Sequence, residues 1–538
     1  MVSALRRQPL LVGFVVVLLL AGTLSITIDA AFGLTNFRDA GYPDSVNLLI
    51  LRELVSSGHL YPDPDQPPYL VSVYGPLTYI LLAIPYKVAL VLGIDPQVMV
   101  RLVPLGAMYL CVFLVFLIGR RLSDSRRIAW LCALFAVSAL PISAWMIRGD
   151  FLALGFALFS LLLLLRTPER PQIIGAAICA GMALLIKQTF LAAPVAVFCW
   201  LIYRRRFKAA ALWGMCIALT VAGGYAVLWW REPLMLKHFA ALRSPIFEYR
   251  GAFNLLGLAL SEPIVPFAVI GGLLARWKGS PERLLVLIYC VVAWLVAIAT
   301  IPQVGGALNY FWEPFVLSAV LAGLGLYELQ RKLYRTPILV TAMLLLLFLR
   351  SFFPMMRQEL NLSSLRDSYR SVRTYPERKA KWKSFISMVS GRKVLSTSPD
   401  VSIHGVAPEM PDPYLNALLE RGGKWDPSPV IAHIEAGQYD LIVLAKGVAD
   451  DKAGGYRGIR IWDDAMREAL KKTYRLACAF EDIDVFQGME VWLPNRGSDE
   501  ILPRLASVGC LVVTRGAGIG SAVRFSRIFL QPRERPIK

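Results

Sequence analysis

Long apolar runs alternate with short basic loops along the first 350 or so residues of the chain. The runs have about the length of a helix that spans a bilayer, which needs roughly 20 residues. They occupy 9–28, 99–119, 127–147, 150–166, 171–187, 189–203, 209–230, 263–276, 283–300, 312–328 and 336–353. The pattern therefore predicts an α-helical polytopic membrane protein with about 11 crossings.

A further apolar run at 76–92 is short and contains Pro85 and Lys87. If it crossed the membrane, the later basic loops would lie on the opposite side from the basic N-terminus, against the positive-inside rule. We therefore predict a juxtamembrane or re-entrant helix inside a first external loop, 31–98. This choice places Asp150, Lys187 and the polar loops on the outer side together.

After residue 353 the pattern changes from long apolar runs to shorter alternating elements. Strand-like segments and amphipathic segments of helical period predict a small α/β domain. The predicted strands are 394–398 and 439–445, and the predicted helices are 413–421 and 463–472. The predicted divisions are a basic connector at 354–392, the soluble domain at 393–497 and a tail at 498–538. An odd number of crossings places this domain outside the cytoplasm.

Composition agrees with a membrane protein, because 56% of the residues are hydrophobic and the mean hydropathy is +0.54. An ordinary soluble enzyme is excluded. The formal net charge of +19 would suggest nucleic-acid binding in a soluble protein. Here the basic residues sit between apolar runs, so membrane topology explains the charge and we expect no nucleic-acid partner.

Cysteine and histidine usage limits the covalent and metal chemistry. Cys478 and Cys510 lie in the soluble part and form either one disulfide or two free thiols, since sequence does not give the distance between them. The four histidines are scattered without ligand spacing, so we predict no histidine-based metal centre.

The first external loop carries two acidic residues, Asp39 and Asp44. Close to a bilayer an ionised carboxylate is expensive unless it pairs or takes part in function. Asp44 also directly precedes an apolar periodic run, so a helix N-cap is the alternative interpretation. Both acids are candidate catalytic residues.

Six short motifs along the chain carry a resemblance to a known family. They are RDAGYPDS at 38–45, SSGHLYPD at 56–63, YGPLTYILLAIPY at 74–86, RGDFLAL at 148–154, KQTFLAAP at 187–194 and NYFWEP at 309–314. In their order and spacing they resemble the GT-C glycosyltransferases, more narrowly bacterial family-39-like and family-87-like members. The resemblance covers 1–353, which it identifies as a GT-C-like transmembrane catalytic domain.

The resemblance implies transfer of a sugar from a polyprenyl-phosphate donor to a lipid, glycan or protein acceptor. The reaction takes place on the outer face of the bacterial inner membrane, with the N-terminus in the cytoplasm and the C-terminal domain outside. It is inverting and needs a base, for which Asp44 is preferred and Asp39 follows closely. The commonest pattern has an Asp-Glu pair, whereas Ser45 follows Asp44 here. One acid acts as the base and the other as its orienter.

The same resemblance implies a substrate-binding set from several loops. Asp150, beside Arg148, binds a substrate hydroxyl or a divalent cation, so no cofactor is certain. The phosphate partners are Lys187, Arg243 and Arg250, with His238 weaker, and the sugar-lining residues are Tyr74, Asn309, Tyr310 and Glu313. The alternatives are helix capping for Asp150, snorkelling for Lys187 and interfacial anchoring for Tyr310.

Two other classes of protein fit the pattern of apolar runs. A lipid or sugar transporter also carries polar residues within the membrane, although it usually shows internal repeats. A membrane-anchored scaffold with an extracytoplasmic binding domain would leave the first-loop acids dispensable.

Overall fold

The computed structural model of the chain comprises two compact units. Residues Met1–Pro62 and Val71–Ser368 form the helical unit, and residues Asp63–Leu70 and Tyr369–Lys538 form the sheet unit. The structure describes residues 33–34, 44–140, 145–165, 169–242, 247, 249–262, 264–277, 280–303, 306–332, 362–406, 408–450, 460–480, 488–496 and 499–512.

The described part of the helical unit is built from successive helices joined by short turns. They are α1 (Asp44–Ser57), α2 (Pro76–Leu92), α3 (Pro96–Ser123), α4 (Arg126–Ala139), α5 (Asp150–Leu164), α6 (Arg170–Ile186), α7 (Ala192–Tyr203), α8 (Phe207–Arg231), α9 (Met235–Leu242), α10 (Tyr249–Leu260), α11 (Ile264–Trp277), α12 (Pro281–Thr300) and α13 (Trp312–Lys332). A 3-10 turn, Leu308–Phe311, precedes α13, and the next described helix is α14 (Leu362–Val389).

Among the described helices, α3, α8 and α12 are long and apolar enough to cross a membrane, and a bent pair formed by α10 and α11 gives a fourth span if counted as one. Helices α2, α5, α6 and α7 are apolar but shorter than 18 residues. The predicted crossings at 9–28 and 336–353 lie outside the described residues. The count of about 11 therefore stays a prediction.

Basic loops meet at one end of the helical unit. Arg283, near the start of α12, donates from Nη1 to Glu328 Oε1 at 2.8 Å and from Nη2 to the Leu122 carbonyl at 3.1 Å. These partners lie near the ends of α13 and α3. The ends of three helices that carry predicted cytoplasmic loops are thus connected by hydrogen bonds.

Small residues allow helices α11 and α13 to pack closely. A Cβ atom added to Gly271 would lie 1.9 Å from the Leu321 carbonyl oxygen, and one added to Gly325 would lie 2.5 Å from the Gly271 Cα. Glycine at these positions lets the two backbones touch, which is a common basis of helix association in membranes. The contact fixes α13, whose N-terminal turn carries part of the candidate site.

The sheet unit contains a five-stranded mixed sheet in the order β1-β2-β4-β3-β5. Its strands are β1 (Val394–Ser396), β2 (Leu441–Ala445), β3 (Tyr474–Phe480), β4 (Met489–Pro494) and β5 (Leu511–Val512). Its helices are α15 (Pro399–Ser402), α16 (Pro413–Arg421), α17 (Ser428–Glu435), α18 (Asp464–Thr473) and α19 (Leu502–Ser507), with a 3-10 turn at Asp499–Ile501. Strands β1 and β2 are parallel, with Leu395 opposite Ile442, and the other pairs are antiparallel.

The predicted strands and helices of the soluble domain are present, but the sheet extends beyond the predicted boundary at 497. Cys478 in β3 and Cys510, directly before β5, form a disulfide with Cα atoms 5.6 Å apart. Sequence left a disulfide and two free thiols as equal alternatives, because the pairing of β3 with β5 brings together residues 32 positions apart.

A short segment of the first loop, Asp63–Leu70, belongs to the sheet unit. Asn416 Nδ2 donates to the Tyr69 carbonyl at 3.3 Å, and the Tyr69 ring packs edge-on against Trp425 at 5.8 Å between centroids. The sequence groups this segment with the rest of the first external loop in the transmembrane domain. Its partners, Asn416 and Trp425, lie some 350 positions further along the chain, so the local sequence pattern does not predict these contacts.

Candidate functional site

Asp150 is the centre of a buried polar cluster in the helical unit. It is the first residue of α5 and has no exposed surface. Its Oδ1 accepts hydrogen bonds from Lys187 Nζ and from Asn309 Nδ2, the latter at 2.9 Å. Its Oδ2 has no hydrogen-bond partner among the described residues. The structure thus brings together three residues that the sequence predicted from separate loops.

The YGPL motif positions Lys187. The Gly75 amide and the Thr78 hydroxyl both donate to the Ile186 carbonyl, at 2.9 and 2.8 Å. A Cβ atom on residue 75 would lie 2.1 Å from the Leu185 carbonyl oxygen, so only glycine permits this approach. Pro76 is the first residue of α2, where its missing N–H costs nothing. The motif therefore holds the end of α6, directly before Lys187.

The NYFWEP segment forms one wall of a cavity beside this cluster. The cavity is small, with a volume of about 10 Å³ that admits a molecule the size of water, and its polar wall includes Lys187, Asn309, Tyr310 and Glu313. The ammonium group of Lys187 lies 4.8 Å from the centroid of the Tyr310 ring, within cation–π range. Alanine and valine side chains of α12 line the apolar wall.

Glu313, on the polar wall, is held by a hydrogen bond from helix α12. The hydroxyl of Tyr289, a fully buried residue of α12, donates to Glu313 Oε1 at 2.5 Å. Glu313 itself is nearly buried. The cavity therefore carries one ammonium group and one carboxylate on its polar wall.

Asp44 forms a buried ion pair with Arg101. Both side chains are completely buried, and Arg101 Nε and Nη2 donate to Asp44 Oδ2 at 3.0 and 2.9 Å. The Ile147 amide donates to Asp44 Oδ1 at 2.7 Å. Burial raises the pKa of Asp44, while the Arg101 charge and the Ile147 amide act against that rise. Ile147 is followed by Arg148, so the ion pair anchors the turn that leads to Asp150.

Arg148 and Tyr74 are further buried polar groups near Asp150. Arg148 Nε is buried and has no hydrogen-bond partner among the described residues. Burial raises the pKa of Tyr74 well above its ordinary value; the Asp150 carboxylate raises this pKa further and Arg148 lowers it. The charges of Asp150 and Arg148 thus both act on the Tyr74 hydroxyl. Arg148 is thus a cation within this cluster whose Nε is left for a ligand.

A chain of hydrogen bonds connects Tyr74 to the Asp150 turn. The Tyr74 amide donates to the Tyr79 hydroxyl at 3.4 Å, and that hydroxyl donates to Asn47 Oδ1 at 3.2 Å. Asn47 Nδ2 in turn donates to the Ile147 carbonyl at 2.7 Å. The first loop and the turn before α5 are therefore one connected polar structure.

Three predicted site residues lie partly or wholly outside the described part of the chain. Asp39 and Arg243 lie outside the described residues, and the side chain of Arg250 is not described. His238, the weaker phosphate candidate, is buried with both ring nitrogens occupied: Nδ1 accepts from the Ser72 amide at 3.1 Å and Nε2 lies 2.6 Å from the Pro62 carbonyl. It holds the first loop and has no nitrogen left for a phosphate.

Comparisons with known proteins identify the fold. No protein-family model and no curated protein match the chain. ArnT from Cupriavidus metallidurans in the apo state is similar in structure, with 12% sequence identity, a TM-score of 0.58 and coverage of 89% of this chain and 98% of ArnT. ArnT bound to undecaprenyl phosphate is similar at 13% identity and a TM-score of 0.57, with the same coverage.

The chain has a GT-C fold. The resemblance drawn from its short motifs is therefore confirmed at the level of the fold. The archaeal oligosaccharyltransferase of Archaeoglobus fulgidus in its apo form is a more distant neighbour, with 12% identity, a TM-score of 0.48 and coverage of 88% of this chain and 74% of that one.

Two residues of the GT-C fold that shape the candidate site were missed by sequence reasoning. Arg101 lies inside the apolar run predicted as the crossing 99–119, and Tyr289 lies inside the one at 283–300. A lone arginine in such a run is itself a signal, because an intramembrane charge needs a named partner. Tyr289 gives no comparable signal, since tyrosine is common in apolar helices.

Among the described residues there is no group of three or more His, Cys, Asp or Glu residues that could hold a metal ion. At Asp150, the proposed cation ligand, the Lys187 ammonium group bonds the carboxylate.

Proposed function

We propose that the protein is a membrane glycosyltransferase that transfers a sugar from a polyprenyl-phosphate donor to an extracytoplasmic lipid, glycan or protein acceptor. The observation that carries this proposal is the buried Asp150–Lys187–Asn309 cluster beside Arg148 and an open cavity. Within a GT-C fold, these residues supply cations for a phosphate and acceptors for sugar hydroxyls. The similar ArnT structure bound to undecaprenyl phosphate supports a lipid of this class.

The proposed reaction is an inverting displacement at the anomeric carbon. The acceptor loses a proton to a base as its oxygen attacks, and the phosphate leaves with the bonding electron pair. Arg148 and Lys187 stabilise the developing negative charge on the leaving phosphate. Arg148 is the stronger candidate, because its buried Nε has no partner among the described residues whereas Lys187 already bonds Asp150.

Of the two first-loop acids, we assign the role of base to Asp39 and the orienting role to Asp44. Asp44 is completely buried, and its two oxygens accept three N–H hydrogen bonds from Arg101 and Ile147. A carboxylate held in this way keeps its neighbours in place but has no open path to an acceptor proton. Asp39, five residues earlier, is the remaining acid of the same loop motif.

Asp150, Tyr74 and the 309–313 turn are the proposed sugar-binding groups. Asp150 Oδ2 and Asn309 Oδ1 are buried acceptors without partners among the described residues. Buried polar atoms normally have hydrogen-bond partners, so sugar hydroxyls are suitable donors for them. Tyr310 and Tyr74 offer ring faces and hydroxyls beside the same atoms.

The first test is mass spectrometry of lipids from membranes that contain wild type, Asp39→Asn or Asp44→Asn at matched levels of folded protein. Accumulation of a polyprenyl-phosphate sugar in Asp39→Asn membranes would identify the donor and support the assignment of the base. Asp65→Asn, an exposed acid of the same loop, is the matched control and should not accumulate this lipid. Unchanged lipids and glycans in every variant would favour a transporter or a scaffold instead.

We place the protein in the bacterial inner membrane with its N-terminus in the cytoplasm and the sheet unit outside. The Cys478–Cys510 disulfide supports the outer location, because such bonds persist in oxidising compartments. Single cysteines at Gln66 and Lys208, both exposed positions, in a cysteine-free background test the topology. An impermeant thiol reagent should label only the first, and equal labelling would contradict the orientation.

A further inference from the structure

Tyr289 is a buried polar residue of α12 that the proposed reaction does not yet use. Its side chain has no exposed surface, and its hydroxyl donates to Glu313 Oε1 at 2.5 Å. A tyrosine hydroxyl buried among apolar side chains needs such a partner. The bond links α12 to the first turn of α13, at the polar wall of the cavity.

The two charged residues of the cavity wall, Lys187 and Glu313, have different kinds of partner. Lys187 is already paired with Asp150, which is completely buried. Glu313 lines the same cavity, and its recorded hydrogen bond among the described residues is the neutral one from Tyr289. Within the described residues, Lys187 is therefore bonded to a carboxylate, whereas Glu313 is held by a neutral partner.

This difference indicates which part of a donor Glu313 accepts. A phosphate brings mainly acceptor oxygens to this carboxyl, whereas an O–H or N–H group can donate a hydrogen bond to it. Asn309 Oδ1, another buried atom without a partner among the described residues, is a second acceptor on the same wall. Both acceptors call for a ligand that donates hydrogen bonds.

We propose that Tyr289 is a positioning residue that fixes Glu313 as a hydrogen-bond acceptor for the transferred sugar. Glu313 and Asn309 on the cavity wall then accept hydrogen bonds from O–H or N–H groups of the donor's sugar, while the phosphate lies toward Arg148. The inference rests on the proposed function. It adds the division of the site into a sugar end and a phosphate end, and it names the residue that orients the sugar end.

The alternative is that the Tyr289–Glu313 bond only ties two helices together. Ser318 provides a matched control, because Trp294 Nε1 donates to its hydroxyl at 3.3 Å and so links the same two helices. Ser318 does not line the cavity. Ser318→Ala should therefore match any purely structural effect of Tyr289→Phe on thermal stability without changing sugar transfer.

Two readouts on the purified full-length protein separate these roles. The first is kcat/KM for the lipid-linked sugar extracted from Asp39→Asn membranes, and the second is the Kd for undecaprenyl phosphate, which has no sugar. We expect Glu313→Gln to lower kcat/KM about 10- to 100-fold, the usual range for a hydrogen bond to a charged group, and Tyr289→Phe about 10-fold. Neither should change the Kd, whereas Arg148→Gln should weaken it.

The double variant tests whether Tyr289 acts through Glu313. If it does, Tyr289→Phe in the Glu313→Gln background should cost nothing further, because coupled residues are non-additive. Multiplicative losses, a weakened Kd for undecaprenyl phosphate in Glu313→Gln, or an equal loss of sugar transfer in Ser318→Ala would each overturn the inference. A wild-type protein that neither binds undecaprenyl phosphate nor consumes a lipid-linked sugar would instead refute the proposed function.

Discussion

The Asp44–Arg101 ion pair gives the sharpest prediction about the first loop. Both groups are completely buried, and Arg101 makes a further hydrogen bond from Nη1 to the Gly33 carbonyl at 3.0 Å. Removing one partner of a buried pair leaves an uncompensated charge, which destabilises a protein by about 3–5 kcal/mol. Asp44→Asn and Arg101→Met should each lower the free energy of unfolding by about this amount.

The double variant Asp44→Asn/Arg101→Met removes both charges and keeps both shapes. The asparagine oxygen still accepts the Ile147 amide, and methionine fills the arginine stem volume, so replacement of the whole pair should be close to neutral. We expect a coupling energy of at least about 2 kcal/mol between the two sites. The assay is equilibrium unfolding in detergent micelles, followed by intrinsic fluorescence, with Ser318→Ala as an unrelated buried substitution.

Sugar transfer by the same three variants distinguishes an orienting role of Asp44 from a direct role in the reaction. If Asp44 only orients the loop, the double variant should recover most of the activity that Asp44→Asn loses. If the double variant is stable but inactive, Asp44 takes part in the reaction and the assignment of the base to Asp39 is wrong. Additive losses of stability would refute the ion-pair reasoning itself.

Three further predictions concern other parts of the chain. Gly75→Ala should lower kcat/KM for sugar transfer by roughly 10-fold or more, because its Cβ would clash with the Leu185 carbonyl and displace Lys187. Gly106→Ala is the control: its Cβ would meet nothing within 4 Å, so kcat/KM should stay unchanged. Replacing Cys478 and Cys510 by serine should destabilise the sheet unit by about 3–4 kcal/mol in chemical unfolding, and an unchanged midpoint would contradict the structural role of the bond. Burial raises the pKa of Asp412 to about 7, so between about pH 4 and 7 the folded state keeps a proton that the unfolded state has lost. The stability of the sheet unit should therefore fall as the pH rises through this range. In thermal unfolding, Asp412→Asn, which keeps an oxygen for the Leu415 amide, should lose this pH dependence.

Much of the candidate site was predictable because its members lie at the ends of apolar runs. Asp150, Lys187 and Asn309 all fall on the outer side once the parity of the crossings is fixed, and the structure places them in contact. The partner of Asp44 was not predictable in the same way. Arg101 is 57 residues away and sits one turn and more inside α3, so only the folded packing pairs them.

The fold was predictable in kind but not in detail. Hydrophobic periodicity identifies apolar helices, yet it does not fix their length, and several are shorter than the predicted crossings: α7 has 12 residues and α4 has 14. Two strands of the sheet unit, β1 and β2, were predicted because short buried runs are a local signal, whereas β3, β4 and β5 were not predicted. Their order was not, since β4 lies between β2 and β3 through contacts that only tertiary packing determines.

The Ile186 carbonyl, which receives hydrogen bonds from Gly75 and Thr78, has a mechanical consequence. These two hydrogen bonds tie the C-terminal end of α6 to Gly75 and to the first turn of α2. Movement of the turn that contains Gly75 will therefore carry the Lys187 backbone with it. A ligand that shifts this turn should therefore also move the Lys187 ammonium group, even if it does not touch that group.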